Sequence, residues 1–405
     1  MTVQRPRFSS APLLLCVLLV LVFAGCGKKP PPPAPVSAQP GMPGSGAPTG
    51  EPIKIGAIFS ASGPGAPLGE PEKLTAEMMQ ESINASGGLA GRPVEIIVED
   101  DATEESKAVL AAKKLIEQDK VLAIVGPTMS GTSLAIVDTC EQAQIPLISC
   151  AASNKITTPV KKWVFSTAQT DVLAVQRILR YLLDKDIKKV AIICDSNAFG
   201  QSGAEQLKKQ LPEAGIGVVD EEKFATKDTD MTAQLTKIKG KNPQAVICWG
   251  TNPGPAVVAK NMKGLGIKAQ LIQSHGVANE KFIELAGDAA EGVILPCGKL
   301  LVVDELPDTD AQKAELAKFR SDYEAHTSQP VNTFAGHAYD AIELVFKAIE
   351  AVGADRAAIR DHIEGMKEHV GISGVFNLSA EDHAGLTPDA FTLVVIKNGT
   401  WTQVQ

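Results

Sequence analysis

From residue 53 almost to the C-terminus, short runs rich in Val, Ile and Ala alternate with segments of helical spacing. IKIGAIFS, PVEIIVEDD, VLAIVG and IPLISC read as strands. Between them, PEKLTAEMMQESINASGG, SKAVLAAKKLIEQDK and GTSLAIVDTCEQAQ read as helices, the first closing on Gly87-Gly88. Strands that are apolar without alternation are covered on both faces, and an intervening helix returns the chain to begin the next strand in parallel. The pattern therefore predicts an α/β fold with parallel central sheets.

After a connecting stretch around Trp163 to Asp171 the same grammar restarts. It runs through VLAVQRILRYLLDKD, KVAIICD, FGQSGAEQLKKQLPEAG, VVDEEKF, MTAQLTKIKGK, QAVICWG, PGPAVVAKNMKGLG, QLIQS, VANEKFIELAG and GVILPCG. Helices are expected at DAQKAELAKFRSDYEAH, HAYDAIELVFKAIEAVG and RAAIRDHIEGMKE. The end, AFTLVVIKNGTWTQVQ, predicts a hairpin turning at Asn398-Gly399. Two α/β units follow one another, as suits a folded part of this length.

The N-terminus differs in kind. Arg5 and Arg7 precede an apolar run from Ala11 to Phe23 and then Ala24-Gly25-Cys26, the plan of a secretory leader over 1–25. The run is short for a membrane span. A cysteine straight after Ala-Gly resembles a bacterial lipobox, with Cys26 lipidated and Phe23 where Leu is usual. Residues 26–51 are dominated by Pro, Gly, Ala and Ser, with little apolar surface to bury, and read as a tether. The expected location is the outer face of a bacterial membrane, with contact to the membrane only through the anchor.

Several function classes are excluded by what the chain lacks. A formal charge of −8, with no Lys/Arg cluster, argues against nucleic acid. Gly63-Pro64-Gly65 lacks GxGxxG spacing, and GxxxxGK[ST], GxSxG and HExxH do not occur. His326, His337, His362, His369 and His383 have no metal-ligand spacing, so no metal, cofactor or enzymatic activity is expected. Cys140, Cys150, Cys194, Cys248 and Cys297 show neither CxxC nor zinc spacing, and mostly free, buried thiols are expected.

In open parallel sheets, ligands sit beyond the carboxyl ends of the strands, where helices begin. The loops after IFS, AIVG, LISC, AIICD, VICWG and LIQS are the candidate site. IKIGAIFSASGPGAPLGE, AIVGPTMSGTS, PLISCAASN, VAIICDSNAFGQSG and SHGVANEKFIELAG, in this order, resemble the Leu/Ile/Val-binding protein family of importer receptors over essentially all of 52–405. The resemblance implies two Rossmann-like lobes with parallel sheets joined by three hinge crossovers, near Asp171, Gly298 and Pro388. Lobe 1 would comprise 52–171 plus 300–387, and lobe 2 would comprise 172–299 plus 388–405. It also implies a small carboxylate ligand and ABC transporter permease subunits as partners; a sensor receptor of the same fold is the alternative.

By the same resemblance Ser130 holds the ligand carboxylate, Ala151 makes a backbone contact, and Ser153 offers hydroxyl and amide. Independently, a helix expected to begin near Thr132 would aim free N–H groups at this loop. The other half of the family site departs from the pattern. His275 stands where leucine-binding members carry an acid, Thr251 and Leu68 replace aromatic residues, and Phe199 keeps a ring where tyrosine is usual. Asp171, near a hinge, is the remaining acid able to attract an ammonium. The residues therefore leave two ligand classes open: a branched-chain or hydrophobic amino acid, and an aromatic or other amine-free carboxylic acid.

Overall fold

The structure is a computed structural model that describes residues 47–404. The leader, Cys26 and most of the tether lie outside the described residues. In the first half, β1 (Ile53–Phe59), α1 (Ala66–Ala85), β2 (Val94–Asp100), α2 (Glu105–Lys114), β3 (Ile124–Val125), α3 (Ser130–Ala143), β4 (Leu147–Ser149) and β5 (Val164–Ser166) follow in order. Their strands form one five-stranded sheet in the order β2-β1-β3-β4-β5, with every pairing parallel.

The second half begins with α4 (Asp171–Asp184), β6 (Lys189–Asp195), α5 (Ala198–Glu213), β7 (Gly217–Phe224) and α6 (Thr232–Gly240). It continues through β8 (Ala245–Trp249), α7 (Gly254–Gly264), β9 (Gln270–Gln273), α8 (Glu280–Ala286) and β10 (Ile294–Gly298). The chain then returns to the first sheet with α9 (Lys313–Thr327), α10 (Thr333–Val352), α11 (Arg356–Glu364) and the small hairpin of β11 (His369–Val370) and β12 (Val375–Phe376). It ends in β13 (Phe391–Lys397) and β14 (Thr400–Gln403), paired across Asn398-Gly399.

The second sheet runs β14-β13-β10-β9-β8-β6-β7. Its parallel part, β7-β6-β8-β9-β10, repeats the connectivity of the first sheet, and β13 closes it antiparallel to β10. The molecule is thus α/β with two lobes, and the chain passes between the sheets three times. In both sheets strand order reverses beside the first strand, so β1/β3 and β6/β8 are the points where connections diverge and leave a crevice.

Packing explains the apolar runs. β8 is buried along all five residues, between α4 and α5 on one face and α6, α7 and α8 on the other. In the first lobe, α1, α9 and α10 cover one face, and α2 and α3 cover the other. Gly126 has φ +85°, and a Cβ there would stand 2.2 Å from the Ile58 carbonyl oxygen, so only glycine lets the chain leave β3 beside β1.

Three elements depart from the sequence expectations. α1 starts at Ala66 and carries Pro71 inside, whereas the helix was expected to begin at Pro71, with Pro67 in the loop before it. Proline's fixed φ suits a first turn, and its missing N–H costs only a bond to the Pro67 carbonyl. α10 starts at Thr333, because the Asn332 side chain accepts from Phe334 N (3.0 Å) and Ala335 N (3.2 Å). β5 lies in the stretch taken as a connector. Among the described residues no helix is long and apolar enough to cross a membrane. All five cysteines among them are free and buried.

Candidate functional site

The strand-end loops of the two lobes line a partly open cavity of about 350 Å³, counted with the solvent at its mouth. From the first lobe it is lined by Leu68 on α1, Thr128, Met129 and Ser130 at the start of α3, Cys150, Ala151, Ala152 and Ala168, and Phe334 and His337 on α10. From the second come Phe199 on α5, Thr251 after β8, and His275 and Gly276 after β9. Six of the eight residues singled out from the sequence therefore come together here: Leu68, Ser130, Ala151, Phe199, Thr251 and His275. A wider neighbouring cavity shares Met129, Ser130, Phe199 and Thr251 with it.

One side of the cavity is built by the start of α3. The helix begins at Ser130, two residues earlier than the sequence suggested, and no side chain caps it. Its first free N–H groups and the positive end of its dipole therefore meet the cavity wall. Ser130 Oγ accepts from Ser153 N at 3.3 Å, which leaves the Ser130 proton for another acceptor. Thr128 beside it is already committed, because it accepts from Ser60 N (2.9 Å) and donates to the Glu72 carboxyl. Burial pushes Glu72 well above the usual carboxyl range, partly offset by that hydrogen bond. Ala151 also lines the cavity, and its backbone groups have partners: its N–H donates to Ser149 Oγ (3.1 Å) and its carbonyl accepts from Ser166 Oγ (3.0 Å).

The opposite wall is aromatic. The His275 ring meets Phe199, Trp249 and Phe391 edge-on, with centroids 5.4, 5.8 and 5.3 Å away. Burial, aided by repulsion from His337, lowers His275 to about 3, so the ring is neutral at physiological pH. The Gln169 carbonyl lies near enough to favour the charged form slightly, but it makes no hydrogen bond; neither ring nitrogen has a partner among the described residues. Gly203 lets α5 lie flat on Trp249, since a Cβ there would come within 2.1 Å of the indole.

Ser153 and Asp171 stand outside the lining. Ser153 Oγ donates to Ser202 Oγ on α5 (2.8 Å), and Ser202 in turn donates to Asn154 (3.3 Å). With Lys155–Glu205 (2.7 Å) these bonds join the loop after β4 to the second lobe. The Ser153 hydroxyl thus serves the contact between lobes, where a ligand contact was expected. Asp171 is fully buried, and burial lifts it to about 8. Ser202 and the Trp249 indole lie near enough to favour ionisation but form no hydrogen bond with it. Burial thus favours the protonated form of Asp171, the acid expected to attract an ammonium.

Phe334 and His337 were missed. His337 appeared only as one scattered histidine, and the 170 residues from Thr167, whose hydroxyl donates to the His337 carbonyl, leave no local signal. Its Nδ1 pairs with Ser373 Oγ at 2.8 Å, and burial lowers it to about 3. Among the described residues no Asp, Glu, Lys or Arg lines this cavity, while Glu104, Glu105 and Lys227 line the wider one that shares Ser130 with it. No group of three or more metal-binding side chains occurs among the described residues.

A family model described as periplasmic binding protein matches residues 52–400. Among curated proteins, a Leu/Ile/Val-binding protein of Rhizobium johnstonii is 29% identical over 72% of this chain and 78% of its own. A Pseudomonas aeruginosa leucine-, isoleucine-, valine-, threonine- and alanine-binding protein is 28% identical over 69% of this chain and 72% of its own. Among solved structures, an extracellular ligand-binding receptor of Rhodopseudomonas palustris HaA2 superposes with a TM-score of 0.83 at 29% identity, covering 88% of this chain and 100% of its own. A branched-chain amino acid transporter substrate-binding protein of Streptococcus pneumoniae, in complex with isoleucine, gives 0.77 at 27% identity, covering 87% and 100%.

Proposed function

The chain belongs to the periplasmic binding protein family, and we propose that it is the lipid-anchored receptor of an ABC importer, taking a small, amine-free carboxylic acid with an apolar body. One observation carries the choice of ligand: the cavity offers an uncapped helix N-terminus and the Ser130 hydroxyl to an anion, and its own lining holds no acidic residue to meet an ammonium, Glu104 and Glu105 belonging to the wider neighbouring cavity. Hydrogen bonds to a charged group stabilise by about 1.5–3 kcal/mol each, so Ser130 and one or two α3 amides suffice to anchor a carboxylate. An ammonium enclosed opposite neutral His275 would lose its hydration for no counter-charge.

In this reading lobe 1 is 52–171 plus 300–387 and lobe 2 is 172–299 plus 388–405. The acid docks on Ser130 first, and the lobes close about the three crossovers to bring Phe199, Thr251 and His275 onto its body. The ligand shifts the closed population only by its preference for that state. Cys26 carries the lipid, the tether holds the body off the membrane, and the closed lobe faces are read by permease subunits. A branched-chain amino acid is the second reading, favoured by the relatives named for such ligands.

Calorimetry with leucine and with 4-methylpentanoate, which lacks only the amine, separates the two. Tighter binding of 4-methylpentanoate is expected; tighter binding of leucine overturns the amine-free assignment.

A further inference from the structure

Resting on the carboxylate reading above, we infer that the ligand carries a second, uncharged polar group, a hydroxyl, and that His275 is the residue that reads it. His275 lies on the short turn after β9, in the cavity wall opposite α3. Its imidazole packs edge-on against Phe199, Trp249 and Phe391. The nearest hydroxyl in sequence, Ser274, is committed, since it donates to the Gly250 carbonyl (3.0 Å) and accepts from Gly276 N (3.3 Å).

A neutral imidazole has one N–H donor and one lone-pair acceptor. Both are buried without a partner among the described residues. A buried polar group left in this condition is costly unless something satisfies it. The plain hydrocarbon tail of an acid would satisfy neither nitrogen. A hydroxyl both donates and accepts, so it serves whichever tautomer the ring adopts, and it brings no charge into an uncharged wall. His337, held by Ser373 at 2.8 Å, brings a second imidazole to the same cavity from the other lobe. The site therefore has an anion-binding end at α3 and a neutral, hydrogen-bonding wall between two rings.

The test pairs each acid with its hydroxylated counterpart: 4-methylpentanoate with 2-hydroxy-4-methylpentanoate, and phenylacetate with 4-hydroxyphenylacetate. Each is titrated by calorimetry into the full secreted chain and into His275→Phe, which keeps an aromatic ring and removes both nitrogens. One hydroxylated member should bind about tenfold tighter than its parent acid to the native protein. In His275→Phe that pair should bind within about twofold of one another. His275→Gln, which restores a donor and an acceptor, should recover part of the preference even if the phenylalanine variant folds poorly. Mass spectrometry of the molecule released on denaturation should give a hydroxy acid. If the simple acids bind and neither hydroxyl is preferred, or the preference survives in His275→Phe, the role of His275 is wrong and the carboxylate reading stands. If no acid of either pair binds, the carboxylate reading itself fails.

Discussion

Ser130→Ala tests the anion site at one atom. The substitution removes a hydroxyl whose proton is uncommitted in the protein, at the first residue of an uncapped helix. If that proton goes to a carboxylate, the loss is one charge-assisted hydrogen bond, about 1.5–3 kcal/mol, or roughly 10- to 150-fold in Kd. The α3 amides and dipole remain, so binding should weaken without vanishing. Folding should be little affected, because among the described residues the only bond lost is the 3.3 Å contact from Ser153 N. Isothermal titration with an acid and with its primary amide, beside a urea melt of each protein, gives the answer. The loss should fall on the acid, since the uncharged amide never had the stronger bond to lose. An unchanged Kd for the acid, or an equal loss for acid and amide, refutes the assignment.

Three further outcomes are expected. His275→Glu places an acid where an ammonium would sit, so the affinity ratio of leucine to 4-methylpentanoate should rise at least about tenfold in calorimetry; an unchanged ratio argues that His275 does not face that end of the ligand. Gly203→Ala drives a methyl into the Trp249 indole and should destabilise by about 1–3 kcal/mol while altering tryptophan fluorescence, and a parental urea midpoint would contradict the packing. Asp171 binds its proton up to about pH 8 when folded but releases it near 3.8 when unfolded, so this group's stabilisation is full at low pH and is lost as pH rises between those values. Its slope is at most about 1.4 kcal/mol per pH unit. Asp171→Asn should remove that decline, and urea titrations at acid and alkaline pH that show a constant difference from the parent would rule it out.

Much of the fold was legible because strands buried on both faces leave continuous apolar runs. β8 is the clearest, with AVICW buried throughout. VLAIVG was legible as a strand although only Ile124–Val125 pair regularly, because bonds from Gly56 N to the Ala123 carbonyl and from Gly126 N to the Ile148 carbonyl (both 2.9 Å) extend the ladder. β5 was not legible, since VFS is three residues long and leads directly into polar Thr167 and Gln169. The site was readable where a loop follows a strand, as at Ser130 and His275. It was unreadable where the wall comes from the side of a helix, as at His337. Ser153 shows a different limit: the same hydroxyl in the same loop can meet a ligand or Ser202, and only the position of α5 decides.

Pro71 interrupts the hydrogen bonding of α1, and the carbonyl thereby released, that of Pro67, accepts from Asn279 Nδ2 in the other lobe at 3.4 Å. Helical integrity and the grip between the two halves are consequently traded against each other at a single residue. A variant such as Pro71→Ala, which mends the helix by restoring the intrahelical bond, makes the Pro67 carbonyl serve two donors and so weakens one of the contacts to the neighbouring lobe. A mutation that strengthens one half in isolation would weaken its contact with the other at Asn279.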